Sequence, residues 1–178
     1  MTDTPPLTGL HHVTNICTDM DRTWEFYEEV LGWHTVKRTE NSDDPGTLHY
    51  YFSPTPAGEP GTVVTYFEYP GHQGRPGGGA SHHFAMGVPD RETLEAWRDH
   101  LVGHGVRVSR VQDRTYFESI YFTDPDGLVI EIATQGPGFA VNEDEPGSDF
   151  IDAPDAKTTD VGTAGVSDAD ADDGAEDE

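Results

Sequence analysis

Two stretches of the sequence share the pattern that decides the fold: "GLHHVTNICTD" at residues 9–19 and "ASHHFAMGVPD" at residues 80–90. In each stretch a pair of histidines opens an apolar, strand-like run, and an acidic residue then precedes a helical pattern. Because the same order of features occurs twice, we predict that the chain contains two copies of one structural unit.

Each copy continues with the same predicted elements. The first helix is expected over 18–32 with Thr18 as its N-cap, and the second over 91–105 with Asp90 as its N-cap. Three strand-like runs follow each helix. They cover residues 33–39, 47–53 and 61–69 in the first copy, and residues 106–112, 116–123 and 128–134 in the second. Each copy is therefore predicted to be a βαβββ module.

Composition divides the chain into a predicted globular domain over 7–141 and an acidic tail over 142–178. The tail contains fourteen Asp and Glu residues against one lysine and few large apolar side chains, a composition that predicts disorder. Within the domain, the modules are expected at about 9–70 and 81–135. The glycine-rich segment "YPGHQGRPGGGAS" connects them.

The chain is strongly acidic, with 34 Asp and Glu residues, ten Lys and Arg residues and a net charge of −24. Such a surface repels nucleic acid phosphates and anionic lipids, so neither a nucleic acid nor a membrane is an expected partner. The charge is typical of a halophile-like protein from a high-salt cytoplasm; a specific basic partner is the alternative. A single cysteine, Cys17, excludes an internal disulfide, and no secretory or membrane-spanning pattern is found. We therefore expect a cytoplasmic protein.

The carboxylate in "GLVIEIAT" is unusual, because Glu131 lies in the middle of an apolar strand. A buried charge there costs several kcal/mol unless it is paired or binds a metal, whereas an edge-strand Glu could point to water. The two histidine pairs at equivalent positions favour the metal, with one histidine of each pair facing the site. Two imidazoles and one carboxylate form the facial triad of non-haem Fe(II) oxygenases.

A tyrosine is predicted beside this carboxylate. The turn "FTDPDGLV" suits a type I turn with a G1 bulge, which places Asp124 opposite Leu128 and Tyr121 opposite Glu131. A two-residue loop would instead pair Tyr121 with Ile130 and turn its phenol away. An ordinary core position for Tyr121 also stays open.

The two units resemble the vicinal oxygen chelate superfamily. The stretches "RTYFESIYFTDPDGLVIEIATQGPGFAV" and "DDPGTLHYYF" look most similar to hydroquinone-type ring-cleaving dioxygenases. The resemblance implies an α+β fold in which paired βαβββ modules form a curled mixed-sheet cavity. It also implies that His12, His83 and Glu131 bind the metal, with Fe(II) as the cofactor and Mn, Ni or Zn as alternatives.

The same resemblance implies a ring-cleaving dioxygenase that acts on a small aromatic substrate, a catechol or a hydroquinone, with dioxygen. Tyr121 is the expected acid–base residue, and His49 in "TLHYYFS" is a second catalytic candidate. Arg114 and Tyr116 could contact the substrate. Chains with two modules in this superfamily often form swapped homodimers, so we expect a homodimer.

Two other functions are weighed against the dioxygenase. A glyoxalase-type isomerase or transferase of this superfamily usually adds a fourth ligand, a carboxylate on the last strand of the first module. The corresponding position here is Thr65, and the nearby Glu68 has the wrong parity to share its face. A metal-free protein that binds an aromatic compound is the third possibility.

Overall fold

The computed structural model describes residues 4–75 and 77–148, so the predicted disorder of the tail from residue 149 onward lies outside the described residues. The two units are confirmed as βαβββ modules. The first contains β1 His12–Cys17, α1 Met20–Glu25, β2 His34–Asn41, β3 Asp44–Ser53 and β4 Val63–Glu68. The second contains β5 His83–Val88, α2 Arg91–Gly103, β6 Gln112–Asp113, β7 Glu118–Thr123 and β8 Val129–Thr134. In the described part of the chain, neither helix is long and apolar enough to cross a membrane.

Each module forms one four-stranded mixed sheet. The strand orders are β1-β4-β3-β2 and β5-β8-β7-β6, so the last strand of each module lies between its first and third strands. The first and last strands pair in parallel and the others antiparallel. As a result β1 and β5, the strands that carry the histidine pairs, are edge strands in their own sheets.

The beginning of the first helix differs from the prediction. Thr18 is not its N-cap; the side chain of Asp19 accepts the hydrogen bond from the backbone N–H of Arg22 at 3.0 Å. The Thr18 hydroxyl instead donates to Asp126 of the second module at 2.5 Å. The helix then continues as a π-helical turn, Phe26–Val30, and ends before Gly32 at φ +66°. In the second module Asp90 is confirmed as the N-cap.

The predicted strand over 106–112 is also largely wrong, because only Gln112–Asp113 pairs as β6. The segment before β6 still lies alongside β7, where the N–H of Ser109 donates to the carbonyl of Tyr121 at 2.9 Å. However, the hydroxyl of Ser109 accepts the reciprocal hydrogen bond from the N–H of Tyr121, which replaces a backbone carbonyl in the ladder. The alternating pattern of this segment therefore does not produce a continuous strand.

The two modules share one hydrophobic core. Each sheet has a helix face, which packs on its module's helix, and an open face on the other side. Residues of both helix faces belong to the same buried cluster, and the rings of Phe26 and Phe122 lie 6.4 Å apart across the modules. His100 of α2 donates from Nε2 to the carbonyl of Val30 at 2.7 Å. The open faces of both sheets consequently point away from the shared core.

A buried polar contact joins the modules inside this core. The hydroxyl of Tyr66 donates to Oδ2 of Asp124 at 2.8 Å and lies 2.9 Å from the hydroxyl of Tyr27. Burial raises the pKa of Asp124 above its ordinary value, with the hydrogen bond from Tyr66 acting in the opposite direction. At the same junction Arg22 forms an ion pair with Asp126 at 2.6 Å. Polar and apolar contacts together fix how the modules sit on each other.

We predict that Tyr66→Phe lowers the free energy of unfolding by about 1–3 kcal/mol, because the buried carboxyl of Asp124 loses its hydrogen-bond donor. Tyr50→Phe is the matched control, since within the described residues its hydroxyl forms no hydrogen bond, and its effect should stay within about 0.5 kcal/mol. Chemical denaturation of both variants measures the difference. Equal stability of the two would show that the Tyr66–Asp124 contact contributes little.

Candidate active site

The open face of the second sheet brings three predicted residues together. Nε2 of His83 lies 2.9 Å from Oε2 of Glu131, and the hydroxyl of Tyr121 donates to Oε1 of the same carboxylate at 2.7 Å. The rings of His83 and Tyr121 meet edge to face, with their centroids 5.9 Å apart. Glu131 is 3% exposed, so these two partners, and not solvent, satisfy its carboxylate oxygens. We call these three residues the second half-site.

The hairpin between β7 and β8 produces this arrangement. Gly127 has φ +87°, the N–H of Gly127 donates to the carbonyl of Asp124 at 3.1 Å, and the N–H of Asp124 donates to the carbonyl of Leu128 at 3.0 Å. Tyr121 is then paired with Glu131, as the bulged turn predicts. In the parallel pairing of β5 with β8, Ala85 lies opposite Glu131, so His83 is two residues away on the same face. The predicted register is confirmed.

The two histidine pairs have the same local geometry. Nδ1 of His11 lies 3.0 Å from Nδ1 of His12, and Nδ1 of His82 lies 2.8 Å from Nδ1 of His83. In both pairs the rings are nearly perpendicular, at 84°. Since Nδ1 is used within each pair, Nε2 is the ring nitrogen that His12 and His83 have for a ligand.

The first sheet carries an equivalent set, which we call the first half-site: His12, Tyr51 and Thr65. Tyr51 is paired with Thr65 just as Tyr121 is paired with Glu131, and the rings of His12 and Tyr51 are 6.5 Å apart. Thr65 therefore occupies the position of the carboxylate. The sequence reasoning did not single out Tyr51 as a site residue, although its equivalence to Tyr121 could have been read from the spacing of the repeat.

His49 lies beside the first half-site, in the middle of β3. Its Nε2 lies 3.0 Å from the hydroxyl of Thr65, and its Nδ1 lies 3.2 Å from the hydroxyl of Tyr51. Its ring contacts those of Tyr51 and Phe67 in tilted arrangements, with centroid distances of 4.2 Å and 4.1 Å. Burial, and secondly the charge of His12, lower the pKa of His49. A neutral imidazole at pH 7 is the form that accepts a proton.

Within one chain, His12 does not form a cluster with the other two predicted ligands, His83 and Glu131. Over residues 4–75 and 77–148, no three His, Cys, Asp or Glu side chains converge in a way that could hold a metal ion. His12 and His83 both line a largely apolar cavity of about 550 Å³ between the modules, but Glu131 is not among its lining residues. The donors themselves suit a divalent transition metal, since imidazole nitrogens and a buried carboxylate are available on the open faces.

Among the described residues, no carboxylate occupies the position of the fourth ligand of the isomerase type. Thr65 faces the site, where its hydroxyl donates to the hydroxyl of Thr14 at 3.0 Å. Glu68 lies on the opposite face of β4, and its Oε1 accepts a hydrogen bond from the N–H of Met20 at 2.8 Å. The parity predicted for Glu68 is confirmed.

Paired βαβββ modules with a histidine on each first strand and a carboxylate on the last strand define a protein of the vicinal oxygen chelate class. The family model described as "Glyoxalase/Bleomycin resistance protein/Dioxygenase superfamily" matches residues 9–132. The chain belongs to this superfamily.

Among curated proteins, the chain is 38% identical over 127 residues to "Putative ring-cleaving dioxygenase MhqE" of Bacillus subtilis, which covers 70% of this chain and 40% of that protein. It is 31% identical over 130 residues to "Chlorohydroquinone/hydroquinone 1,2-dioxygenase" of Sphingobium indicum, which covers 71% and 40% respectively. The chain thus spans about two fifths of the length of these relatives.

Solved structures give the same result for the fold. A "putative dioxygenase" from Bacillus subtilis superimposes with a TM-score of 0.66 at 36% identity, covering 71% of this chain and 40% of that one. The crystal structure of SMU.1112c superimposes with a TM-score of 0.58 at 25% identity, covering 72% of this chain and 99% of that one.

We predict that the imidazole of His49 titrates below pH 6.5 in the folded protein, because burial and the nearby His12 disfavour its charged form. Its ring-proton chemical shifts, assigned with a His49→Gln variant and followed by NMR against pH, measure this. Since the pKa is lowered, His49 should be neutral at pH 7. A midpoint at or above 6.5 would show that burial and His12 do not disfavour the charged imidazole at this position.

Proposed function

We propose that the protein is a ring-cleaving dioxygenase that uses Fe(II) to open a catechol or a hydroquinone. The observation that carries this proposal is the second half-site, in which the buried carboxylate of Glu131 contacts the imidazole of His83 and accepts a hydrogen bond from the phenol of Tyr121. The relatives named as ring-cleaving and hydroquinone dioxygenases support the reaction type. The Thr65 position disfavours an isomerase of the glyoxalase type, because it offers no fourth carboxylate.

The ligand set in this proposal is His83 and Glu131 from one chain and His12 from a second copy. Both β1 and β5 have one edge without a strand partner in the described residues, and unpaired edges invite pairing with another chain. Ile16, on the open face of β1, is 55% exposed in the single chain. Pairing β1 with β5 of a second copy would cover this surface and set a first half-site against a second half-site.

The bound ferrous ion would supply coordination of the ring oxygen and of dioxygen, and the protein would supply the proton transfers. Tyr121 would donate its hydrogen bond, or its proton, to the oxygen attacking the ring, since it stands on the same face as His83 and Glu131. His49, kept neutral by its surroundings, would accept the proton of a substrate hydroxyl. Tyr51, in contact with His49, lies where it could relay that proton.

Removing a ligand should remove the metal. We expect His12→Ala, His83→Ala and Glu131→Ala each to lose bound iron and oxygen uptake, because a three-donor site has no spare ligand. The exposed His72 provides the control, and His72→Ala should retain both. Metal quantification after anaerobic loading, followed by oxygen-electrode assays with catechols and hydroquinones, measures both properties. Full iron occupancy in Glu131→Ala would eliminate this ligand set.

Removing the phenol should affect the rate alone. Tyr121→Phe is expected to keep the metal and lower the turnover number by roughly 10²–10⁴-fold, the usual size of an acid–base contribution. Tyr50→Phe, on the helix face of the neighbouring module, serves as the control and should leave turnover unchanged. An unaltered turnover number in Tyr121→Phe would assign Tyr121 a packing role only.

Mixing inactive variants tests whether two chains share the site. In a swapped heterodimer of His12→Ala with Glu131→Ala, one site carries both changes and the other is intact, so activity should return after joint refolding. The pair His83→Ala with Glu131→Ala alters both sites and should stay inactive. The experiment belongs in about 1 M salt, where screening reduces the reach of the acidic self-repulsion to about 3 Å. Verified heterodimers of the first pair without activity would place the site within one chain.

A further inference from the structure

A row of small side chains lies beside the second half-site on the open face of the second sheet. Ser119 pairs with Ala133 between β7 and β8, and Gly87 pairs with Ala133 between β5 and β8. Since strand residues two apart share a face, this row lies about 6.5 Å along the strands from the row that contains Glu131 and Tyr121. We call Gly87, Ala133 and Ser119 the small-residue row.

The equivalent row of the first sheet carries large side chains. In the repeat, the positions of the small-residue row are occupied by Ile16, Phe67 and His49. The ring centroids of His49 and Phe67 lie 4.1 Å apart, so side chains already fill the surface there. On the second sheet Gly87 is exposed and its row has little side-chain volume. Room for a planar ligand therefore lies on the second sheet, next to Tyr121.

The glycine in this row is not explained by the backbone. The φ of Gly87 is outside the left-handed region, and its pairing with β8 continues without a register shift. Among the described residues, a Cβ built at Gly87 would meet nothing closer than Nε2 of Gln135 at 3.9 Å, an ordinary contact. Glycine inside a strand weakens the strand, so folding alone would favour a larger residue here. A strand glycine often marks a place where a ligand approaches the backbone closely.

A buried hydroxyl at the end of the row has no hydrogen-bond partner. Ser119 is 0% exposed, and within the described residues its Oγ neither donates nor accepts a hydrogen bond. Such a hydroxyl costs free energy of folding, because it has lost its hydrogen bonds to water. Strand alternation directs Ser119 to the same face as Tyr121, and a ligand oxygen over Ala133 would supply the missing partner.

We propose that the small-residue row seats the aromatic ring of the substrate and that Ser119 binds the ring oxygen remote from the metal; this inference rests on the proposed ring-cleaving function. A ring that binds the metal through one oxygen extends away from Glu131 along the open face, and its flat side needs a surface without projecting side chains. Gly87 and Ala133 provide that surface. Because the row is about 6.5 Å from that of Glu131, Ser119 meets an oxygen on the opposite side of the ring and not one adjacent to the metal-bound oxygen.

Filling the row should weaken binding without weakening the fold. Gly87→Val is expected to bind hydroquinone about 10–100-fold more weakly, because its side chain occupies the seat of the ring. Gly87→Ala, whose Cβ has room in the free protein, should show a smaller loss in the same direction. Neither variant should melt at a lower temperature than the wild-type protein, since both remove a glycine from a strand. Anaerobic calorimetry of the iron-loaded proteins and thermal unfolding measure these two properties.

Gly74→Val is the matched control for this substitution. Gly74 also has no left-handed φ, and among the described residues a Cβ there would meet nothing within 4 Å. It lies in the segment between the modules, so its affinity for hydroquinone should equal that of the wild-type protein. Wild-type affinity in Gly87→Val, measured at full iron content, would overturn the proposed seat.

Ser119 is tested with hydroquinone and 4-methylphenol, which differ in the group opposite the metal-bound oxygen. Ser119→Ala should bind hydroquinone about 3–10-fold more weakly and 4-methylphenol as tightly as the wild-type protein, because one neutral hydrogen bond is lost. Its melting temperature should not fall, since the hydroxyl it removes has no partner in the described residues. A merely structural role would lower the melting temperature and change both affinities alike. Equal changes for the two ligands, or no change, would overturn the role of Ser119.

Binding measured without turnover separates this inference from the proposed function. A preference of the wild-type protein for hydroquinone over 4-methylphenol, lost in Ser119→Ala, would support the inference even if no ring were opened. Failure of every diol to consume oxygen would overturn the proposed function instead. Absence of hydroquinone binding by the iron-loaded wild-type protein would overturn the inference.

Discussion

The shared hydrophobic core between the two modules is the constraint on which the rest of the structure depends. The helix faces of both sheets are buried in this core, and the buried hydrogen bond from Tyr66 to Asp124 fixes one module against the other. What remains for chemistry is the open face of each sheet and the free edges of β1 and β5. The two histidine pairs lie on these edges, so the candidate ligands His12 and His83 lie outside the shared core, on the cavity between the modules.

The buried carboxylate of Glu131 is the most costly feature that this arrangement tolerates. Its neighbours in sequence, Ile130 and Ile132, are fully buried in the core, while the carboxylate itself is satisfied by one phenol and one imidazole on the open face. A charge with so little solvent needs a cation or a proton nearby, and a metal ion held with His83 would meet that need. The proposed metal site would therefore account for the placement of one acid in the middle of an apolar strand.

Local rules predicted much of this site. Strand alternation and the turn chemistry around Gly127 were enough to place Tyr121 opposite Glu131, and the repeat was enough to single out the two histidine pairs. Where prediction failed, tertiary contacts decided. Thr18 is a good N-cap by type, but its hydroxyl is used by Asp126 of the other module. Likewise, the hydroxyl of Ser109 interrupts a ladder that its strand-like pattern would have continued. The convergence of His12 with the other ligands depends on how modules pair, and a one-dimensional pattern does not contain that information.

The two half-sites differ in one residue that matters for metal binding. Tyr51 and Tyr121 occupy equivalent positions, as do His12 and His83, yet Thr65 stands where the second module has Glu131. Two carboxylates with two histidines would fill four positions around a metal and leave fewer for substrate. One carboxylate leaves open positions for a ring oxygen and for dioxygen, as a facial triad requires. Thr65, which stands at the position of the carboxylate, contacts the candidate proton acceptor His49. In the proposed function, the second module would supply His83, Glu131 and the proton donor Tyr121, and the first would supply His12 and the candidate proton acceptor His49.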